Sequence, residues 1–587
     1  MTATLAPSQL PTIDSAMRQF FLSALLAFAS AASAAPTFDG VKEGAAAPNA
    51  AVLHWNRAKG TAPISYRIYK RGAKGFDFAA PVANVKATDW AVTGLPPGDQ
   101  EFVVRAADAS GEEKNTRSVK VRVSGNQPAS EWRGVWFTRF EWAGGSRLEI
   151  QKRLTDAMAA LAGGNFNSVI FQVRGQGDTL YPSAEEPWSP LISADARQSD
   201  PVAFALAQAK KNNLQFHAWI NLSVIWQSGK KLPPADKRHP FYKYANAASP
   251  ATSAWLIRDA KGAPKQWGSD DYVWISHGNP EANAYLRRQV MSFLKTYDVD
   301  GLHWDDRTGN PNGPSRDPVS VARFNGRGNP MKIADFGAWQ RDQLSRFLSD
   351  VYVAAKAKNP RLLISVSPFG IADKKRIPGY GKFNDCEGFG VEPEKWAAMG
   401  VVDAVVPQVY WDLPDPEPNY GTIVRDWKAH NTSGVPIWPG ANLGKYGDVQ
   451  PLNPMQARYV AICRSLGMSG QTFFSYSKAT AQQWRDAAKY LYPQKAAVPV
   501  PKSANYGHII GTVTTTQGKP IVDAWIALEG NPYIHLSSAD GFYGIPNLKP
   551  GNYVIRFSAA DGHEAKRQVA VVGGKTIVAD VKVEMGK

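Results

Sequence analysis

Two cysteines, Cys386 and Cys463, are all that the 587 residues contain. A disulfide-stapled scaffold is thereby excluded, and the two lack the spacing of a metal site. Whether they pair or stand as buried thiols stays open from the sequence. Past the N-terminus no stretch reaches the roughly 18 consecutive apolar residues that a membrane helix needs, so no membrane span is expected. The formal charge is +16, yet no run of five or more basic residues occurs. The charge is spread over the surface, which favours anionic surroundings but argues against a nucleic-acid partner. No glycine-rich phosphate loop follows an apolar strand, so no dinucleotide site and no cofactor are expected.

What is present is an ordinary globular balance, 44% hydrophobic and 20% charged residues, in a chain long enough for two to four domains. The N-terminus reads as an address. After Met17 come one base, Arg18, an apolar run from Phe20 to Ala29, and the small-x-small triplet Ala32-Ser33-Ala34. That order is a secretory signal, cleaved near Ala34 and preceded by an upstream extension, and it places the product in the periplasm or outside the cell.

Four pieces follow. Residues 47–124 hold short strands (AVLHW, SYRIYKR, QEFVVRAAD, SVKVRVS) broken by turns such as Leu95-Pro96-Pro97-Gly98, which predicts a small β-sandwich. With Trp55, Tyr66 and Tyr69 it resembles a fibronectin type III module. Residues 131–492 alternate apolar strands with helix-period stretches, eight times over, as in a (β/α)8 barrel. An open doubly wound sheet is the alternative. Residues 493–502 form a Pro/Ala linker. Residues 503–587 read as a second all-β sandwich. It resembles the carboxypeptidase regulatory-like modules through Gly518-Lys519-Pro520, Asp523-Ala524 and the Asp540-Gly541-Phe542-Tyr543 run. Both sandwiches are expected to be separable from the chemistry, so that residues 128–495 would fold and act alone.

Polar and aromatic residues gather where the barrel strands end. The fourth strand, VDGLHWDD, stops on Asp305 and Asp306 after His303. The second is followed by Arg174, Asp178, Glu185 and Glu186. The third ends on His217, Trp219 and Asn221, the sixth on Gln408, Tyr410, Trp411 and Asp412, and the seventh near Asn442. In a parallel barrel that end carries the active site. Acids, amides and aromatics around one rim suit a carbohydrate. Each residue also has a plain structural explanation: Asp305 and Asp306 could cap a turn, Asp178 or Glu186 could sit in a salt bridge or on the surface, and His217, Tyr410 and Trp411 could be barrel packing.

The barrel resembles the family-ten-like glycosyl hydrolases of bacterial envelopes, which are distinct from the family-ten xylanases. The resemblance rests on Arg133-Gly134-Val135-Trp136, FQVRGQGDTLYPSAEEPWSP (171–190), His217-Ala218-Trp219-Ile220-Asn221, YDVDGLHWDD (297–306), Ser367-Pro368-Phe369-Gly370 and Pro407-Gln408-Val409-Tyr410-Trp411. It implies a glycosidase, with peptidoglycan glycan strands lacking stem peptides as the expected polysaccharide substrate. This chain departs from the pattern at Arg307, where an aromatic is usual.

Glycoside hydrolysis generally needs two carboxyl groups, one giving a proton and one attacking or activating water. Asp305 is the first choice for the nucleophile or base, with Asp306 as orienting partner or the reverse. Two neighbouring carboxylates should push one pKa upward. Glu186, Asp178 and then Asp412 are candidates for the proton donor. Arg174, His217, Asn221, His303, Gln408, Tyr410, Trp411 and Asn442 are expected to bind the glycan. Two other classes remain: a glycan-binding protein without turnover, and a metal-dependent deacetylase built on His303, Asp305 and Asp306. No metal is expected on the first reading. The anomeric outcome and the oligomeric state have no signal in the sequence.

Overall fold

The computed structural model describes residues 34–227, 234–244, 255–261, 272–309, 313–413, 417–443, 454–500 and 505–584. Residues 1–33 of the expected export signal, 310–312 of the loop after the acid pair and 501–502 of the linker lie outside the described residues.

Eight parallel strands build the barrel: β1 Trp132–Phe137, β2 Ser168–Gln176, β3 Gln215–Ile220, β4 Gly301–Trp304, β5 Leu363–Val366, β6 Ala404–Val405, β7 Gly440–Asn442 and β8 Gly470–Phe474. Each pairs in parallel with its sequence neighbour from β1 to β6, with a register shift in β2 between Gln172 and Arg174, β8 pairs with β1, and β7 with β8. The ring closes between β6 and the approach to β7. Trp438 donates its amide to Val405 O at 2.9 Å and Gly440 to Pro407 O at 2.8 Å. The fold is therefore a closed (β/α)8 barrel, and the open-sheet alternative falls.

Helices start where the sequence supplies caps. Helix α1, Arg147–Gly163, opens on Ser146 and Glu149 in a reciprocal capping box. Helices α2, Pro201–Lys211, and α3, Pro280–Thr296, begin with proline behind Asp200 and Asn279, whose side chains take the orphan amides. Helix α4, Phe336–Lys358, is capped by Asp335. Helices α5 Pro393–Met399, α6 Tyr420–His430, α7 Pro454–Ser465 and α8 Ala481–Tyr490 complete the ring.

The axis is filled, not hollow. At the N-terminal ends of the strands Trp132 and Trp438 stack at 4.3 Å, and His217 lies edge-on to Trp132 at 4.8 Å. Above them Trp136 and His303 form the next layer. Both cysteines are buried free thiols.

Two separate sheets occupy the N-terminal region. One orders Val41–Ala47, Ala50–Trp55 and Asp89–Thr93, and the other centres on Ser65–Gly72 and Gly98–Asp108. Strands thus occur where the sequence predicts them, with the Ala-rich Val41–Ala47 and Asp89–Thr93 in addition.

The C-terminal module has two four-stranded sheets sharing one core of Ile509, Val513, Ile526, Tyr543, Ile555 and Phe557. It is not a free spacer. Arg287 of α3 donates both bonds of its Nη2 to Asp540, at 2.6 and 2.5 Å. Arg346 of α4 reaches Ile534 O at 2.5 Å, and Arg323 holds Asp523 bidentately at 2.8 and 2.6 Å. Trp525 donates to Arg327 O at 2.9 Å. These contacts bear against the expectation that the barrel stands alone, because Arg287 and Arg323 of the barrel pair with carboxylates of the module.

Candidate active site

A cleft of about 200 Å³ opens over the C-terminal ends of the strands. It is smaller than the roughly 300–1,000 Å³ that encloses a whole drug-sized ligand, and suits one sugar ring of a chain crossing the rim. Trp136, Trp219, Tyr410 and Phe474 form its apolar wall, Gln172, Asn221 and Gln408 supply amides, and Asp305, Asp306, Arg139 and Arg307 supply charge. Tyr272 closes one side from an antiparallel hairpin, Val224–Gln227 with Tyr272–Trp274, inserted after β3. A larger cleft of about 700 Å³, lined by Asn49, Leu95, Arg464 and Tyr490, lies toward the start of β1, where Arg464 binds Glu131. That end of a barrel serves stability rather than chemistry.

Strand alternation aims the acid pair. His303 faces the axis, where its Nε2 accepts from Trp136 Nε1 at 3.1 Å and its Nδ1 meets Ser365 Oγ at 2.8 Å. An indole only donates, so the proton sits on Nδ1. Asp305, two residues on, points the same way and lines the cleft, 8% exposed. Its Oδ1 accepts from the Asp306 amide at 2.6 Å and from Gln408 Nε2 at 3.1 Å. It also caps the one-turn helix Asp306–Thr308, so the turn-capping role and the cleft role coexist in one side chain. Burial first, and then the neighbouring Asp306, push its carboxyl well above the usual range, with Arg307 pulling the other way. Asp306 ion-pairs with Arg307, whose guanidinium lies over the Tyr272 ring at 4.8 Å.

Several other expected site residues are placed elsewhere. Glu186 is buried, with both oxygens taken by Arg174 Nε and Nη2 at 2.8 and 2.7 Å and a third bond from Tyr285 at 2.6 Å. A carboxylate so held is a poor proton donor, and neither it nor Arg174 lines the cleft. Arg174 instead ties β2 to β3 through Asn221 O at 2.5 Å. His217 lies in the barrel floor, where burial lowers it to about 3, so it is a neutral core histidine. His303 is one layer too deep to touch a sugar. Trp411 packs edge-on to Phe369 at 5.5 Å, outside the cleft lining. Asn442 is half-buried at the end of β7 and Asp412 is buried, both outside that lining. Asp178 is fully buried just beyond the cleft, raised to about 6 by burial against the pull of Arg139. Asn221, Gln408 and Tyr410 are where the sequence predicts. Asn221 is fixed by Trp219 Nε1 at 2.7 Å and by Gly175 O at 3.0 Å.

The sequence reading passed over Arg139, Phe140, Gln172 and Phe474. Arg139 and Phe474 stand at the C-terminal ends of β1 and β8, so the rule that singled out Asp305 also reaches them. Tyr272 belongs to an insertion and carries no comparable signal.

A family model described as glycosyl hydrolase-like 10 matches residues 131–443, and one described as a carboxypeptidase regulatory-like domain matches residues 508–584. The glycosyl hydrolase YngK of Bacillus subtilis (strain 168) is 24% identical over 331 residues, 53% of this chain and 60% of that protein. The glycosyl hydrolase DigH of Escherichia coli (strain K12) is 24% identical over 330 residues, 51% of this chain and 70% of its own length. The chain thus spans 60% of the length of the first relative. The PgaB (BpsB) glycoside hydrolase domain from Bordetella bronchiseptica superposes with a TM-score of 0.45 at 14% identity, covering 61% of this chain and 98% of that one.

Proposed function

The chain belongs to the glycosyl hydrolase-like 10 family, and from that premise we propose that it is an exported glycosidase that hydrolyses peptidoglycan glycan strands at the Asp305–Asp306 pair. The observation that carries the reading is the pair itself, on the floor of a cleft walled by Trp136, Trp219, Tyr410 and Phe474. Aromatic faces bind sugar rings and amides fix their hydroxyls. The export signal at 17–34 supports an envelope substrate.

Burial reverses the first assignment within the pair. A carboxyl that burial lifts well above the usual range is suited to general acid catalysis, so Asp305 is the donor to the leaving oxygen, with Gln408 holding its other oxygen. Asp306, ion-paired to Arg307, carries the negative charge that faces the oxocarbenium-like transition state. Metal-dependent deacetylation has less support, since His303 spends its acceptor nitrogen on Trp136.

The second reading, glycan binding without turnover, draws on one observation: Arg307 occupies the Asp306 carboxylate. Incubation with peptidoglycan, amidase-stripped peptidoglycan, chitin and plant polysaccharides, with products read by mass, separates the two. New reducing ends from the stripped glycan are expected. Strands retained uncut by the protein would favour the second reading.

A further inference from the structure

Six arginines are buried among the described residues: Arg105, Arg133, Arg139, Arg174, Arg287 and Arg346. Five have a carboxylate partner: Glu112 at 3.4 Å, Glu131 at 2.8 Å, Glu186 at 2.7 Å, Asp540 at 2.5 Å and Asp342 at 2.6 Å, respectively. Arg139 has none. Its guanidinium donates one bond, Nη2 to Gln227 Oε1 at 3.1 Å, and stacks on Phe140 at 4.3 Å. It is 5% exposed and lines the same cleft as the acid pair.

A buried guanidinium without a counter-ion is costly and needs a reason. The place for it is built. Residue 175 is glycine, and a Cβ there would strike the Arg139 guanidinium. The backbone amide of Arg139 is fixed by Gln172 Oε1 at 3.0 Å. Phe140, 65% exposed, extends the stacking face outward. Asp178 and Asp305 attract it only at a distance, and burial still lowers its affinity for its proton. The other cleft cation, Arg307, is taken by Asp306. One planar fork, with spare donors on the lining of the cleft, matches a carboxylate in two-point geometry.

We propose that Arg139 binds a carboxylate borne by the glycan, on or next to the sugar seated over Asp305, so that the substrate class is an acidic polysaccharide rather than a neutral one. The inference rests on the glycosidase reading for the location of the sugar, but it has its own readout. Peptide-free glycan supplies the carboxylate, because removing the stem peptide frees the acid to which it was joined.

The test compares amidase-stripped glycan fragments with the same fragments after their carboxyl groups are reduced to alcohols. Binding is read by calorimetry and cleavage by reducing ends. Wild-type protein should prefer the acidic form by about 10- to 100-fold, the worth of one charge-assisted contact. Arg139→Gln should bring that ratio close to one, and Arg139→Lys, which keeps the charge without the fork, should leave an intermediate ratio. Equal handling of both glycans by wild type, binding of neither, or an undiminished ratio in Arg139→Gln would overturn the proposal. The wild-type ratio decides it even if a variant does not fold. A binding preference without cleavage would sink the glycosidase reading and leave Arg139 standing; cleavage without preference would do the reverse.

Discussion

Arg174 with Glu186 and Arg307 with Asp306 are the same chemistry in two settings. Both bring a guanidinium and a carboxylate together, the first at the end of β2 and in the loop after it, the second just past β4. The first pair is sealed: Tyr285 adds a third bond and the strand connections cover it. The second stands in a cleft beside an acid whose hold on its proton burial strengthens. What an acid can do depends on how many of its lone pairs are already taken and on which side stays open, not on its type or its place in a motif.

Removing the module breaks the Arg287–Asp540 and Arg323–Asp523 pairs and the Arg346 bond to Ile534 O, while Arg346 keeps Asp342. Residues 128–495 alone should lose on the order of 5 kcal/mol, from two broken ion pairs and the apolar surface laid bare beside them, and unfold or precipitate. A melting temperature near that of the full chain would show that the module is the spacer it resembles.

In the open pair, Asp305→Asn and Asp306→Asn should each lower kcat on the order of a thousandfold or more, with both variants still folding cooperatively. Activity of wild type should also decline as pH rises through the elevated value of Asp305. An aryl glycoside, whose leaving group needs little protonation, should blunt the Asp305→Asn defect far more than that of Asp306→Asn. Equal rescue of both would reverse or dissolve the assignment.

Glu186→Gln tests the sealed pair in the opposite currency. It should cost about 3–5 kcal/mol of stability in urea unfolding, while kcat of the protein that remains folded stays within a few-fold. A catalytic collapse without a stability change would move the proton donor back to Glu186.

Asp350 is an intermediate case. Arg287 lies 3.9 Å away but is committed to Asp540, so burial dominates and raises Asp350 to about 7, with Arg287, Arg346 and the Gly544 amide opposing and Asp540 reinforcing. A value above the roughly 3.9 of a free aspartate means that the protonated form favours folding. The gain is complete below about pH 4 and is lost as pH rises through 7. Asp350→Asn should therefore match wild type near pH 4 and exceed it near pH 8, by on the order of 2–4 kcal/mol at most. Melting curves across that range check the sign.

Strand and helix periodicity made the barrel legible, since β1 to β8 coincide with apolar segments and α1 to α3 begin at caps visible in the sequence. The direction of Asp305 was also legible, because period-two alternation from His303 is a local rule. The identity of its partners was not. Glu186 meets Tyr285 across 99 residues and Arg174 across 12, and no local pattern says which acid the fold will seal. His217 and His303 look alike in sequence but lie in different layers, because position along a strand sets depth in a barrel. The resemblance of residues 503–587 to a spacer concealed the docking, which depends on arginines carried by barrel helices.

His303 bears on turnover although it touches no substrate. It is directly below the acid pair, flanked by an indole that cannot give up its proton and a serine that receives one, and its own basicity is strongly suppressed by burial. That layer insulates. No relay among the described residues runs down the axis, so on the reading that Asp305 is the acid its proton is replaced through the mouth of the cleft, by water. Recharging the acid and clearing the product then share one doorway, and a glycan lingering at the rim delays both.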